Sequence, residues 1–338
     1  MIYNFKKYAF KMNPIQESHP SIDVEVIKEI LDKKGYILDE IVGYGAFACV
    51  FKVFSRQYNQ YFAAKVCYVG ISMMTKNIQS YTAEINALSK LYHPSIINIF
   101  SYFNDGDYLF LILDYCSKGS LREYVKNTSK PDNALIFSWM RQAVEGLVAC
   151  HSMGIAHRDI KPTNILIDQY NRIKIADFGL SLNSEHGKYI SRFAGSLPFT
   201  SPEMNTCTRY DPLKADVWAL GITFYYLIFG KIPYKATSET ELKKQISEAR
   251  IDIPTTVDKR FTIILGMMLN PNPEERSSSS DILNLFNTIR VGKRAKFSDV
   301  IETRKQNGKF KSQVVESQSL ARKIPSGHRR NSTIIERN

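Results

Sequence analysis

The chain has 338 residues, 44% hydrophobic and 23% charged, with 45 Lys/Arg against 33 Asp/Glu and a formal charge of +12. These proportions are those of a globular protein with a large core and room for two or three domains, and they exclude a disordered or fibrous chain. No apolar run reaches the ~18 residues a membrane span needs, and the basic N-terminus lacks the apolar core and small-residue cleavage site of a signal peptide.

Residues 1–22 hold scattered aromatics and lysines, then Pro14 and Pro20, and read as a poorly ordered arm. Residues 21–34 carry apolar side chains at helical spacing behind a Ser21 cap, with Gly35 as the stop, which predicts a short helix leaning on the adjoining domain. From Tyr36 the period changes to that of strands, at 36–38, 41–42, 51–53 and, after a polar turn over 55–60, at 61–66. A helix is expected over 80–91, with Ile85, Leu88 and Leu91 on one face, ending at His93-Pro94. Strands at 96–103 and 108–113 flank the turn at 104–107. About five antiparallel strands and one major helix thus make a small first domain. After Gly119 the chain turns helical, with a short helix at 120–126 and a long one at 133–153 carrying Trp139, Ala143, Leu147 and Cys150 at helical spacing. The very apolar stretch 216–229, begun by Asp216 as a cap, is placed at the centre of the second domain, and 263–269 and 280–289 complete it.

Residues 157–164 read His-Arg-Asp-Ile-Lys-Pro-Thr-Asn. Asp159 can accept a proton from an attacking hydroxyl, Lys161 can neutralise phosphate charge, and Asn164 can ligate a hard cation through its carbonyl oxygen. Pro162 stiffens the backbone among them. A second carboxylate, Asp177, follows a strand-like run at 172–176. Upstream, Gly43 and Gly45 flank Tyr44 at a hairpin tip where backbone amides can approach phosphate oxygens; on their own such glycines are a weak signal. Lys65 lies within an apolar strand, which is costly unless its ammonium is paired. Glu84 on the following helix is the expected partner.

In this order and on these elements, the residues resemble eukaryotic protein kinases, a system with recurring parts. Residues 157–164 resemble the catalytic loop, Asp177-Phe178-Gly179 the metal-binding motif, and Phe62-Ala63-Ala64-Lys65 the lysine strand. The Gly-x-Gly-x-x-Gly loop is matched by Gly43 and Gly45, with Ala48 in the third position. The resemblance covers about 36–290 and implies an α+β, two-lobed fold with an N-lobe at 36–113 and a C-lobe at 114–290. An arm and helix at 1–35 and a basic tail at 291–338 lie outside it. It implies ATP as the phosphoryl donor, held by Val42, Gly43, Tyr44, Gly45, Val50, Ala63, Lys65, Leu113, Asp114, Cys116, Leu166 and Asp177, with Leu113 as gatekeeper and 114–116 as the hinge. It implies Mg2+ on Asn164 and Asp177, catalysis by Asp159, Lys161, Asn164, Lys65 and Glu84, and a structural ion pair between Glu203 and Arg276.

Lys161 resembles the serine/threonine rather than the tyrosine enzymes, so protein substrates are implied. A binding-only kinase-like scaffold is the rival, and intact Lys65, Asp159, Asn164 and Asp177 argue against it. Positions that hold carboxylates in basic-directed kinases hold Ser120, Thr163 and Tyr226 here, so no preference for upstream arginine is expected. Arg158 implies activation through an anion in the following loop, with Ser191 as the candidate phosphosite for an upstream kinase, and Ser196 is expected to bond Asp159 and Lys161. The region 194–196 is similar to calmodulin-dependent-like kinases, though no calmodulin-binding helix stands out after residue 290. The tail holds twelve Lys/Arg against four Asp/Glu, so the basicity is its property. A solvated tail is the expectation, membrane contact is the weaker alternative, and nucleic-acid binding is not predicted. Cys49, Cys67, Cys116, Cys150 and Cys207 form no Cys-x-x-Cys pair, which argues against zinc and fits reduced thiols in the cytoplasm or nucleus.

Overall fold

The computed structural model describes residues 22–44, 48–70, 76–128, 131–184, 189–191, 194–254 and 256–290, all within one compact unit. The arm before residue 22, with its Ser21 cap, Gly45 of the hairpin tip and the tail after 290 lie outside the described residues.

A five-stranded antiparallel sheet runs in the order β1-β2-β3-β5-β4, from β1 (Tyr36–Tyr44), β2 (Ala48–Ser55), β3 (Gln60–Tyr68), β4 (Ile99–Asp105) and β5 (Tyr108–Asp114). The two strands expected at 36–38 and 41–42 are one, with register shifts between Leu38 and Glu40 and between Ile41 and Gly43. The polar Asp39-Glu40 step that broke the alternation marks an irregularity in a continuous strand. Alternation then sorts side chains by face. Phe51, Val53, Phe62, Ala64, Val66, Phe110 and Ile112 are buried on the outer face. Val50, Lys65 and Leu111 are register partners, as are Ala63 and Leu113, so these share the inner face.

Helix α1 (Val24–Lys33) buries Ile27, Ile30 and Leu31 against the outer face. Asp23 is its cap, accepting from the amides of Glu25 and Val26 at 3.0 and 3.3 Å. Helix α2 (Lys76–Leu88) ends earlier than expected, and a hydrogen-bonded turn carries the chain on to the buried Leu91. Ile96 is not in β4; it bridges to Ile175 of the second lobe.

The second lobe contains α3 (Leu121–Asn127), α4 (Asn133–Ser152), α5 (Pro202–Thr206), α6 (Pro212–Phe229), α7 (Glu239–Glu248), α8 (Lys259–Met268) and α9 (Ser279–Arg290). Helix α6 begins a turn before the expected 216. Asp211 caps it, bonding the amides of Leu213 and Lys214, and Pro212 starts it. Asp216 therefore lies inside the helix and is not its cap. Helix α7 was not expected; only Leu242 and Ile246 of its ten residues are buried, an apolar stripe too narrow to stand out. Strands β6 (Ile155–Ala156) and β9 (Leu182–Asn183) pair, as do β7 (Ile165–Ile167) and β8 (Ile173–Ile175). The β7–β8 hairpin brings Asn164 and Asp177 to one end, and the Ala176 amide donates to the Asn164 carbonyl at 2.8 Å.

Candidate active site

Lys65 and Glu84 meet as anticipated. The ammonium lies 2.9 and 2.7 Å from the two carboxylate oxygens, with Glu84 almost fully buried. A third acidic oxygen, Asp177 Oδ1, is 3.5 Å away. Burial by itself would lower the lysine's pKa, but the adjacent Glu84 and Asp177 charges raise it above the usual range, so the ammonium stays charged. Burial likewise works to raise the pKa of Asp177, yet Lys65 and Lys161 bring it below the ordinary carboxylate range. Residues from β3, α2 and the segment after β8 thus share one charge cluster across 112 positions of sequence.

Asp159 is the hub of a second cluster. Its Oδ1 accepts from the Ser196 amide and hydroxyl at 3.1 and 3.0 Å; its Oδ2 accepts from Lys161 Nζ at 2.6 Å and Asn164 Nδ2 at 3.1 Å. Lys161 also donates to Ser196 Oγ at 2.9 Å, so the expected Ser196 contacts are present. Gly195 has φ +105, and a Cβ there would lie 2.5 Å from the Arg158 carbonyl. Only glycine lets this loop approach so closely.

The loop carrying Asp159 is held from beneath. Asp216 accepts from the amides of His157 and Arg158 at 2.7 and 2.8 Å. It is itself contacted at 3.2 Å by His151 Nε2 on α4, whose Nδ1 lies 3.0 Å from Ser279 Oγ. Arg158 and Asp177 both adopt left-handed backbone, at φ 68 and 65, a strained conformation for residues with side chains that clusters at functional sites. Phe178 is fully buried against the His157 ring, with centroids 4.6 Å apart.

At the junction of the lobes, the Asp114 amide donates to the Asn98 carbonyl at 3.1 Å, while its carboxylate takes the Asn98 amide at 3.0 Å and Lys174 at 2.8 Å. Among the described residues, no acceptor meets the Cys116 amide. Leu113 is buried, Val50, Ala63 and Leu166 are partly covered, and Val42 and Tyr44 are exposed. At Gly43 a Cβ would meet only Val50 at 3.9 Å, an ordinary contact.

Residues 36–286 match the family described as protein kinase domain. The chain belongs to the protein kinase family. The kinase is 29% identical to sperm motility kinase 3A of Mus musculus over 73% of this chain and 48% of that one. It is 32% identical to NUAK family SNF1-like kinase 1 of Homo sapiens, over 75% of this chain and 38% of that one. It is also 32% identical to serine/threonine-protein kinase PLK4 of Xenopus laevis, over 72% and 26%. The chain spans about half the length of the curated relatives it matches first.

The expected pair of Glu203 and Arg276 is also present. Arg276 bonds both Glu203 oxygens at 2.7 and 2.9 Å. Arg158, Arg209, Tyr189 and Ser191 line an open pocket of about 420 Å³ beside the loop. Two positioning contacts had no signal in the residues alone. His151 reads as an ordinary helix residue, and Ser80 donates at 2.7 Å to the carbonyl of Gly179, a backbone partner that a sequence does not label.

Proposed function

We propose that this chain transfers the γ-phosphoryl group of ATP to serine and threonine hydroxyls of protein substrates. The observation that carries the reading is the convergence of three distant segments, with the Lys65 ammonium within 3.5 Å of the carboxylates of both Glu84 and Asp177. Phosphoryl transfer needs alignment and charge neutralisation more than covalent help. Lys65, held by Glu84, is positioned to bind the α- and β-phosphates, and Lys161 adds a cation beside the transferring group. Asp159 orients the acceptor hydroxyl and takes its proton as the O–P bond forms and ADP departs. Four donors already fill the Asp159 carboxylate, so the incoming hydroxyl takes the place of one of them.

The donor set fits magnesium. Asp177 is ionised and half exposed. Asn164 points its amide nitrogen at Asp159, leaving Oδ1 with a weak 3.4 Å contact to Thr163. Both are the hard oxygen donors this ion takes. Magnesium held there supplies neutralisation of the phosphate oxygens. The Cys116 amide, without an acceptor among the described residues, is available to the adenine ring.

Substrate preference follows from the same surface. Ser120 is occupied in a capping box with Glu123, and Tyr226 is buried. With no carboxylate at these positions, an upstream arginine gains no partner. Regulation by an upstream kinase acting on Ser191 is supported by the two arginines of the adjoining pocket. Residence in the cytoplasm or nucleus is supported by five free, widely spaced thiols. The test is a serine/threonine peptide array with Mg2+-ATP, with Asp159→Asn and Asp177→Ala as controls. Incorporation lost in both variants supports the reading; a wild-type chain that binds ATP but labels nothing favours the binding-only scaffold.

A further inference from the structure

Helix α3 starts beside the catalytic loop and is held there by backbone. The Lys118 amide donates to the Ile167 carbonyl at 3.1 Å, the Ile167 amide to the Gly119 carbonyl at 2.9 Å, and the Arg122 amide to the Pro162 carbonyl at 3.0 Å, with a bridge between Ser120 and Leu166. Arg122 is therefore fixed next to Pro162, between Lys161 and Thr163 in the loop. It is half-buried, and Lys126, one turn further along the same side of α3, is exposed. Arg122 is an awkward residue for this helix. It stands in the first turn, where the helix dipole disfavours a cation. The acidic neighbour that could offset it, Glu123, is turned to the cap, accepting from the Ser120 amide and hydroxyl at 2.8 and 2.9 Å. Among the described residues neither Arg122 nor Lys126 has an ion pair or a side-chain hydrogen bond. Burial raises the pKa of the Tyr226 hydroxyl on α6 and the Arg122 charge works against that rise, so the positive field of Arg122 extends towards α6.

We propose that Arg122, assisted by Lys126, determines substrate choice by pairing with an anionic side chain, a carboxylate or a phosphate, on the N-terminal side of the acceptor serine or threonine. The inference rests on the phosphoryl-transfer reading of this site and names a substrate class for it. The side follows from Ser120, Thr163 and Tyr226. Where basic-directed kinases meet an upstream arginine with carboxylates, this chain has no negative charge, and a guanidinium stands two residues from Ser120 and bonded to the residue before Thr163. The fork of N–H donors suits either anionic group, and the pair strengthens as the bound substrate excludes water. An upstream arginine meets a like charge and is rejected.

The test uses the full chain with Mg2+-ATP and serine peptides that differ in a single residue, alanine, glutamate, phosphoserine or arginine, at successive positions before the acceptor. Phosphate transfer gives kcat/KM, and fluorescence anisotropy gives peptide affinity, for wild type, Arg122→Ala, Arg122→Glu and Lys126→Ala. In wild type the best glutamate or phosphoserine peptide is expected to exceed its alanine counterpart by about tenfold, the worth of one charge-assisted bond, and the arginine peptide to fall below it. Arg122→Ala should bring that ratio close to one, Lys126→Ala should lower it less, and Arg122→Glu should reverse it in favour of the arginine peptide. Phosphoserine ahead of glutamate identifies a previously phosphorylated substrate and the opposite order an acidic one; either order supports the pairing. A wild-type ratio within roughly twofold of one at every position, no more than an exposed, screened pair would give, or a preference that survives both Arg122 variants, would overturn the proposal. A wild-type chain that transfers phosphate to no peptide would instead sink the kinase reading, and the binding of anionic peptides to wild type and to Arg122→Glu would still decide the pairing.

Discussion

Arg276 offers the sharpest stability prediction. Its side chain is fully buried, and all five N–H groups are engaged: Nε with the Asn270 carbonyl, Nη1 with Glu203 Oε1 and the Lys214 carbonyl, Nη2 with Glu203 Oε2 and the Pro271 carbonyl. The guanidinium also lies 5.0 Å over the Trp218 ring. Arg276→Met fills much of the volume but strands a carboxylate that is 95% buried. Removing one partner of a buried pair costs about 3–5 kcal/mol, which in a domain of this size lowers the melting temperature by roughly 10 °C. Glu203→Gln keeps one acceptor and loses one charge-assisted bond, worth about 1.5–3 kcal/mol, so it should melt between the two. The double variant Arg276→Met with Glu203→Leu leaves no unpaired charge and should melt above Arg276→Met alone. Differential scanning fluorimetry of the four chains measures this series. An Arg276→Met chain melting within ~2 °C of wild type, or a double variant less stable than the single, would refute the reasoning.

Lys65→Met should cut kcat/KM by about a hundredfold or more, since it removes a charged hydrogen-bonding group and leaves Glu84 buried without its cation; steady-state kinetics with a peptide substrate checks this. Asp177 has a pKa below its unfolded value, so its pairing with Lys65 stabilises the fold above the ordinary carboxylate range and is lost as pH falls through the depressed value. Acid unfolding of Asp177→Asn should therefore begin at a pH no lower than wild type, and its stability deficit should shrink below pH ~4. Burial pushes the Cys116 thiol up to about 12, while Cys207 is exposed. Iodoacetamide at pH ~8 should label Cys207 and spare Cys116, as peptide mass mapping will report. Asp216→Asn replaces a double acceptor beneath the His157 and Arg158 amides, and should lower kcat with little change in KM for ATP.

Much of the site could be read from residues because its logic is electrostatic. A lysine inside an apolar strand demands a carboxylate, and Glu84 on the next helix provided it. Asp159, Lys161 and Asn164 are close in sequence, so their meeting required little of the fold. Asp216 was read as the helix cap. The helix starts instead at the Asp211-Pro212 step, a capping pair passed over in favour of the apolar run after it, and Asp216 accepts from the His157 and Arg158 amides. Helix α7 escaped notice because its buried stripe is two residues wide, and β1 was divided because its irregularity looked like a turn. Contacts to backbone, such as Ser80 with Gly179, were beyond reach, since which carbonyl a hydroxyl meets is decided by tertiary packing.

Helix α1 carries a practical consequence. The family match begins at residue 36, yet Ile27, Ile30 and Leu31, before that boundary, seal the outer side of the sheet, each contributing about 1.5–3 kcal/mol of apolar burial. Fragments trimmed to the matched region would lose the apolar cover that α1 gives this cluster, just across the strands from Lys65. For this chain, the piece that similarity recognises is smaller than the piece that must be made for the catalytic half of the sheet to keep its shape.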